Sequence, residues 1–561
     1  MLQGKQSFFI VVLTCIFSTS IFAQSDYIQL HNKQYQLLDR LDIKLRNDSV
    51  LGFTTMKPYN RESITERVEW LDSMDKAGIL PFSLSKVDRY NIQHLLMANN
   101  EWTKYHKTVY NKKGLWNTFY KNTANMYEVH DKDFDMVINP VLNLNRGNAS
   151  DGTGTTYVNT RGILIRGNIE KKIGFYSYFS DNQEITPQYI RQFEGKFSSI
   201  PGYGYYKRED KVYDYFDARG GITFKITKHI DGMFAYDKLF LGNGFRSLFL
   251  SDESAPYLFL KIKTRVWKFD YENVFAELTA THKRTGDYVR PKKYLTQHHL
   301  SYQVAKWLNL GFYENVMFGR PNGFELNYLN PVIFYRSIEQ QLGSPDKATV
   351  GFDFKSNVTK SVQLYGQLVI NEFVFSEIRN YKEGDWRNKH AAQIGLKYID
   401  VAGIKNLDLQ LEYNWLRPFV FTHRDSATSY THYNQAIAHP KGANIKEVVA
   451  IVRYQPIPKL YINARVISYI HGLDPAGQNW GGNIFLSYNN RPQQRGFFVG
   501  EKIKEEVMLA DFNASYELLD NIFADINATV RNYKVAGAAS TNSTFINFGI
   551  RANLQRRSHT F

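Results

Sequence analysis

The chain holds one cysteine, Cys15, and it lies inside an N-terminal stretch that reads as a secretory signal. Lys5 supplies the positive start, FFIVVLTCIF the apolar core, and Ile21-Phe22-Ala23 a cleavage site before Gln24. Val12 stands where a lipidated cysteine would want leucine three residues earlier, and the apolar run continues past Cys15, so a lipoprotein signal fits less well. With the signal removed no cysteine remains, which excludes disulfides and thiolate metal sites. No later stretch approaches ~18 continuous apolar residues, so no membrane-spanning helix is encoded. G-x-S-x-G, H-E-x-x-H, a phosphate loop and a dinucleotide fingerprint are all missing, which leaves no enzymatic motif. Acidic residues are also short, 54 against 69 basic ones, for a net charge of +15. For an exported chain that balance points away from nucleic acid and towards anionic lipopolysaccharide, acidic surface glycans or an acidic protein.

What is present is alternation. From Tyr257 to about Leu278, Leu258, Leu260, Ile262, Thr264 and Val266 interleave with Tyr257, Phe259, Lys261, Lys263, Arg265 and Trp267. A period of two puts one oily and one cationic set on opposite faces of a strand. Such strands recur to the C-terminus: Leu407 to Trp415, Leu460 to Val466, Ile522 to Val530 and Ile546 to Leu554. Tight turns at Leu519-Asp520-Asn521 and Gly403 to Asn406 contrast with long polar loops over 180–211, 376–390, 422–444 and 471–482. Short turns on one side and long loops on the other, with 15% aromatic residues, describe a closed barrel in lipid with a basic interior. Mean hydropathy of −0.42 is compatible with this, because only alternate residues meet lipid. At roughly 20 to 25 residues per strand with its connection, about 16 to 20 strands fit, with ~18 the central value.

The fold class expected is therefore an all-β transmembrane β-barrel of about 18 antiparallel strands with a small N-terminal α-helical plug or periplasmic region. Residues 1–23 form the signal, 24–132 the N-terminal region with its plug, and 133–561 the barrel. Ile64, Val68, Leu71 and Met74 recur at helical spacing after Asn60. A second helix follows Pro81, with Ser85 and Asp88 as its cap signature. A helical or irregular piece carries Leu115, Trp116, Phe119 and Tyr120. The chain ends in Phe561, a terminal aromatic of the kind found in proteins inserted by the outer-membrane assembly machinery. Its parity differs from the last oily series, so the final strand is expected to stop near Leu554, leaving a short tail.

Several blocks together resemble the capsule assembly protein Wzi family, whose relatives include the gliding-motility outer-membrane protein RemB. They are Met56-Lys57-Pro58-Tyr59-Asn60-Arg61, Leu241 to Leu248, the run LNPVIFYRSIEQQLGSPDKATVGFDFK from Leu329 to Lys355, and GQLVINEF from Gly366. YTHYNQAIAHPKGAN from Tyr430 and GNIFLSYNNR from Gly482 complete the set. The resemblance implies an outer-membrane barrel of ~18 strands with a helical plug, and a non-enzymatic role in assembling or anchoring surface polysaccharide. The alternative is a gliding or secretion-associated barrel acting through proteins of that machinery. Outer-membrane lipid, lipopolysaccharide and acidic surface polysaccharide are the partners expected, with no cofactor.

Candidate glycan-binding residues follow from the facing rule. Lys261, Lys263 and Arg265 should line the lumen, with Arg246, Arg336 and Arg465 adding to the field and arginine forking onto carboxylates. Loop aromatics, among them Tyr430, Tyr433 and Trp480, have faces suited to sugar rings. The opposing reading is that these charges pair inside the barrel with Glu339, Asp353, Glu372 and Asp408, tying wall to plug. The run from Arg336 to Asp346 reads as a folded-in loop or plug contact, which places Glu339, Asp346, Asp353 and Glu372 in structural roles. His423, His432 and His439 are spaced nine and seven apart, unlike a metal-ligand pattern, and His298-His299 must point to opposite faces. A diffusion porin would need an open lumen, which the helical region argues against.

Overall fold

The computed structural model describes residues 24–561 except 112, 117, 281–287, 321–322, 373–380 and 555, so the expected signal lies outside the described residues. From Phe134–Ala149 to Thr541–Ala552, 18 antiparallel strands close into a barrel. The last strand pairs with the first from Phe545↔Ala149 to Ala552↔Leu142. Two short strands, Tyr127–His130 and Lys207–Glu209, extend the wall at either end.

Alternation sorts the side chains as the sequence predicts. In the strand Ile522–Val535, Phe523, Asp525 and Asn527 are buried inside while Ile526 and Val530 face out. In the last strand, Ile546, Phe548 and Ile550 are exposed outside and Phe545 and Arg551 buried inside. One end of the barrel carries the tight turns; at Asp520-Asn521 the second residue takes the left-handed conformation (φ 60°) that asparagine tolerates. The other end carries the long connections.

Inside the turn end sits the N-terminal segment, with helices α1 (Gln34–Leu45), α2 (Arg61–Lys76) and α3 (Lys86–Ala98). Leu37, Leu41, Val68, Leu71, Ile92 and Leu95 form its own core. The capping box at α3 is present, with the Ser85 side chain accepting from the Asp88 N–H and the Asp88 side chain accepting from the Ser85 N–H. α1 is not visible in the sequence reading, because its N-cap, Lys33, makes no side-chain capping bond and its apolar face is short. The stretch around Leu115 to Tyr120 is irregular, with a single bridge from Leu115 to Phe119.

The interior is not a basic channel. Connections 238–256 and 417–444 fold into the lumen and build an apolar core: Leu239, Leu241, Leu248, Phe249 and Leu250 pack with Tyr313, Val420, Phe421, Tyr430 and Ile437. Phe249 stacks on Tyr313 at 4.4 Å, and Phe240-Leu241 pairs as a strand with Met56-Lys57 of the plug. Plug and in-folded loops thus meet at mid-barrel.

The last strand ends at Ala552, and the tail then turns inward. Asn553 (φ 52°) donates from Nδ2 to the Pro140 carbonyl at 2.9 Å. Arg556 forks onto Asp511 (2.7 and 2.5 Å), and Arg557 donates to the Tyr215 hydroxyl (2.6 Å). Phe561 is not a strand residue. It lies inside the loop end, 5.0 Å from the Phe193 ring.

Where plug joins wall, His130 has Nδ1 2.8 Å from Asp135 and Nε2 3.6 Å from Glu128. Burial opposes its charge, but the hydrogen bonds to Asp135 and Glu128 lift the imidazole from 6.5 to about 9. A raised value means that the stabilisation is complete below about pH 6.5 and is lost as pH rises through about 9. Amide exchange across residues 127–138, corrected for intrinsic rate, should accelerate over that window, and His130→Gln should abolish the difference. Equal protection on both sides of it in the unaltered protein would remove this role from His130.

Candidate functional site

At the loop end, helix α4 (Gln188–Phe197) starts after Pro187, whose fixed φ suits a helix entrance. Tyr189, Phe193 and Phe197 recur every four residues and therefore share one face. The adjoining face buries Ile190 and Glu194. Glu194 accepts from the Tyr206 hydroxyl and from Arg208 at 2.6 Å, which pins the helix to the wall.

The aromatic face looks onto a chamber of about 550 Å³. Its other walls are residues 434–436, 440–442, 473–475, 477–479 and 482–486, the strand residues Glu505, Arg531 and Tyr533, and the terminal Phe561. Asp474 holds the long loop in shape by accepting from the N–H groups of Trp480, Gly482 and Asn483 (2.8, 3.1 and 2.9 Å). Gly481 sits at φ +84°, with a Cβ position only 2.4 Å from the Phe419 nitrogen, so only glycine fits that approach.

The Arg531 guanidinium lies 4.7 Å from both the Tyr189 and Tyr533 rings, and among the described residues no carboxylate pairs with it. Lys441 is 3.1 Å from Glu505, and His471 is 2.9 Å from the same carboxylate. Burial opposes the Lys441 charge, but Tyr469 and Glu505 hold it above the ordinary lysine value. Burial, with Lys441 nearby, pushes Lys196 below it. Asn434, Gln435, Gln478, Asn479, Asn483 and Asn490 add amides. The chamber's two carboxylates, Asp474 and Glu505, are both engaged, so neither is poised as a catalytic acid or base. A second enclosed space, about 20 Å³ between α1, α3 and Asp408, holds no more than a water.

None of the residues expected to bind glycan lines this chamber. Lys261 lies over the Tyr27 ring (4.4 Å) and Arg265 over Phe53 (4.5 Å), both rings belonging to the N-terminal segment. Lys263 pairs with Asp270 (3.0 Å) and Glu272 (2.9 Å) of the next strand. Arg246 is buried among Glu447, Glu253 and Thr560. Tyr430 is buried against Tyr313 (hydroxyls 2.8 Å apart) and donates to the Phe249 carbonyl (2.6 Å). Tyr433 is buried with Arg290 over its ring, and Trp480 packs on Phe497 beneath Lys502. Arg336 pairs with Glu339 at 2.7 Å on helix α5 (Tyr335–Gln341), and α5 packs on the outside of the wall. The segment expected to fold inward therefore folds outward, because its apolar side chains match outward-facing Val316 and Phe318. Asp346 bonds Arg320 and Tyr328, Asp353 lies 2.6 Å from His299, and Glu372 pairs with Lys389 (2.9 Å); with Glu339, these reach their partners within the barrel wall and its loops.

His423, His432 and His439 lie apart, His439 at 2.9 Å from Glu447 and His423 at 2.6 Å from Thr428 Oγ1. Burial pushes His423 and His432 down to about 3. Among the described residues, His94, Glu517 and Asp520 have metal-like spacing, but the Lys33 ammonium, 2.5 Å from Glu517, already fills that role. What the sequence reading missed is α4. Its signal was the aromatic spacing of four in residues 189–197, inside a stretch taken as a polar loop.

No family model matches the chain, and no curated protein matches it in sequence. Among solved structures it is similar to Wzi of Escherichia coli, described as an outer-membrane protein involved in group 1 capsule assembly and a carbohydrate-binding β-barrel. The TM-score is 0.52 at 11% identity, covering 96% of this chain and 100% of that one. OccAB2 of Acinetobacter baumannii (TM-score 0.40, 10% identity, 74% of this chain and 97% of that one) is also matched. So is OprD of Pseudomonas aeruginosa (TM-score 0.39, 11% identity, 74% and 93%). The likeness to the Wzi barrel is one of fold.

Proposed function

We propose that this protein is an outer-membrane barrel that holds a segment of acidic surface polysaccharide in the loop-end chamber and does no chemistry on it. The observation that carries the reading is the chamber itself: three aromatics of α4 facing an arginine that no carboxylate among the described residues pairs with, and a set of amides, across about 550 Å³. Aromatic faces suit the C–H faces of sugars, amides suit hydroxyls, and a guanidinium forks onto a uronate or phosphate. An apolar outer surface around a closed barrel supports the membrane placement. A lumen filled from both ends speaks against free diffusion of solutes. The Wzi barrel, alike in fold, is itself described as carbohydrate-binding and involved in capsule assembly.

The test is retention of acidic and neutral polysaccharides by purified protein in nanodiscs. Arg531→Ala should weaken the acidic polymer about tenfold, the worth of one charge-assisted contact. It should also flatten the salt dependence. Arg336→Ala, outside the wall, should change nothing. If acidic polymer is not retained, or if Arg531→Ala binds as before, the chamber is not the glycan site.

A further inference from the structure

Alternation puts His298 and Glu314 on the outward side of the wall, where their lumenal neighbours His299 and Tyr313 bond Asp353 and Tyr430 instead. Outward positions should meet lipid, yet His298 is 4% and Glu314 1% exposed, and Asn273 and Thr296 beside them are buried too. The cover is residues 323–346, which descend over the outside of the barrel. Tyr335 stacks on His298 at 4.6 Å, and the N–H groups of Tyr335 and Arg336 donate to Glu314 (3.0 and 2.8 Å). His298 Nε2 is 3.0 Å from Glu314, and the Tyr271 hydroxyl donates to the Pro331 carbonyl.

The descent is deep. Phe334 meets Phe312 at 6.0 Å, and Phe312 is the fifth residue of the strand Leu308–Phe318, counted from the turn end. Six residues of tilted strand put this tip about 15 Å below the loop-end rim, well inside an apolar band ~25 Å tall. Phe312 also touches Phe352, an exposed residue of the bare wall, so the tip continues the barrel's apolar surface. The outer side of the segment is apolar where it is deepest: Leu326, Val332 and Phe334 are 72%, 81% and 64% exposed, with Leu329 and Ile333 exposed beside them. Exposed polar residues flank this tip: Asn327 and Asn330 in the descending limb, and Arg336, Ser337, Gln340 and Gln341 on α5, in the limb that returns to the rim at Lys347.

We propose that residues 323–346 form a re-entrant belt on the outside of the barrel, seated among the acyl chains of the leaflet with Val332, Ile333 and Phe334 as its lipid-contacting tip. Its inner side satisfies a polar patch that hydrocarbon would reject, and its outer side restores the apolar surface that the patch interrupts. The inference rests on the membrane placement proposed above.

Depth-dependent quenching tests it. In a Cys15→Ser chain, single cysteines at Val332, Ile550 (bare wall) and Tyr205 (exposed loop) carry bimane, in nanodiscs of lipid brominated along the acyl chain and with aqueous iodide. Val332→Cys should lose as much fluorescence to acyl bromine as Ile550→Cys and be spared by iodide, while Tyr205→Cys shows the reverse. If Ile550→Cys is quenched by bromine but Val332→Cys only by iodide, the belt fails and the membrane placement stands. A Val332 label spared by both quenchers would mean a protein surface covers the tip, which also overturns the belt. An Ile550 label untouched by bromine would fail the membrane placement itself.

Discussion

Replacing Arg246 by methionine should detach the C-terminal tail and cost about 3–5 kcal/mol, the usual price of removing one partner from a buried ion cluster. Arg246 donates from Nε and Nη2 to Glu447 (3.2 and 3.0 Å) and from Nη1 to Glu253 (2.8 Å) and Thr560 Oγ1 (3.0 Å). It also donates to the Thr560 carbonyl, and its own N–H, with that of Phe245, donates to Glu412 (3.1 and 2.7 Å). Without the guanidinium, Glu447 keeps only His439 (2.9 Å) and Asn414 (3.0 Å), too little for a carboxylate with no access to water. The tail loses its upper anchor at the same time, and Phe561, part of the chamber wall, goes with it. Urea unfolding should report the energy, and proteolysis of residues 556–561 the release. Lysine at 246 should fall between, since it keeps the charge but not the fork. A methionine variant with unaltered midpoint and a protected tail would refute the anchoring role.

Alanine at Arg40 should produce a loss of similar size at the opposite end. Arg40 is buried among three aspartates: Asp88 of the plug (3.0 Å), Asp400 (2.9 Å) and Asp408 of the wall. Lys44 shares Asp88 (3.0 Å) and Asp400 (3.1 Å). Burial opposes the Asp88 carboxylate, but Arg40 and Lys44 hold it down at about 2. One lysine cannot balance three carboxylates in a largely buried site, so about 3–5 kcal/mol should vanish from plug docking. Hydrogen exchange should rise across α1, α2 and α3 and stay slow in the wall. Single-channel conductance should nevertheless remain low, because the in-folded connections 238–256 and 417–444 still occlude mid-barrel. A large, steady conductance in Arg40→Ala would mean that the plug is the sole barrier, contrary to that packing.

The wall was legible in the sequence because the outer surface and the lumen impose opposite demands on successive residues, and strands such as Leu407–Leu416 follow them along most of their length. Asp408, Gln410, Glu412 and Asn414 lie inside, and Leu411 and Tyr413 face out. α3 was legible through Ser85 and Asp88, a local device that needs no tertiary context. α1 and α4 were not, one lacking a cap and the other embedded in a connection whose length suggested only loop. The site was read least well. Facing tells that Lys263 points inward, but not that Asp270 and Glu272 wait on the adjacent strand, nor that Tyr27 and Phe53 rise to meet Lys261 and Arg265.

By itself the sequence determined the closed barrel, the existence of a plug and the side on which most wall residues fall, since each of these is written in a period of two or in a local cap, while chain length bounded the strand count only to about 16 to 20. The tertiary structure alone decided what fills the lumen, where the tail goes, that residues 323–346 lie outside rather than inside, and that Arg531 meets aromatic rings at the chamber. Those outcomes turn on contacts between residues hundreds of positions apart, such as Arg246 with Thr560 or Arg40 with Asp408, and no spacing along the chain encodes such a meeting.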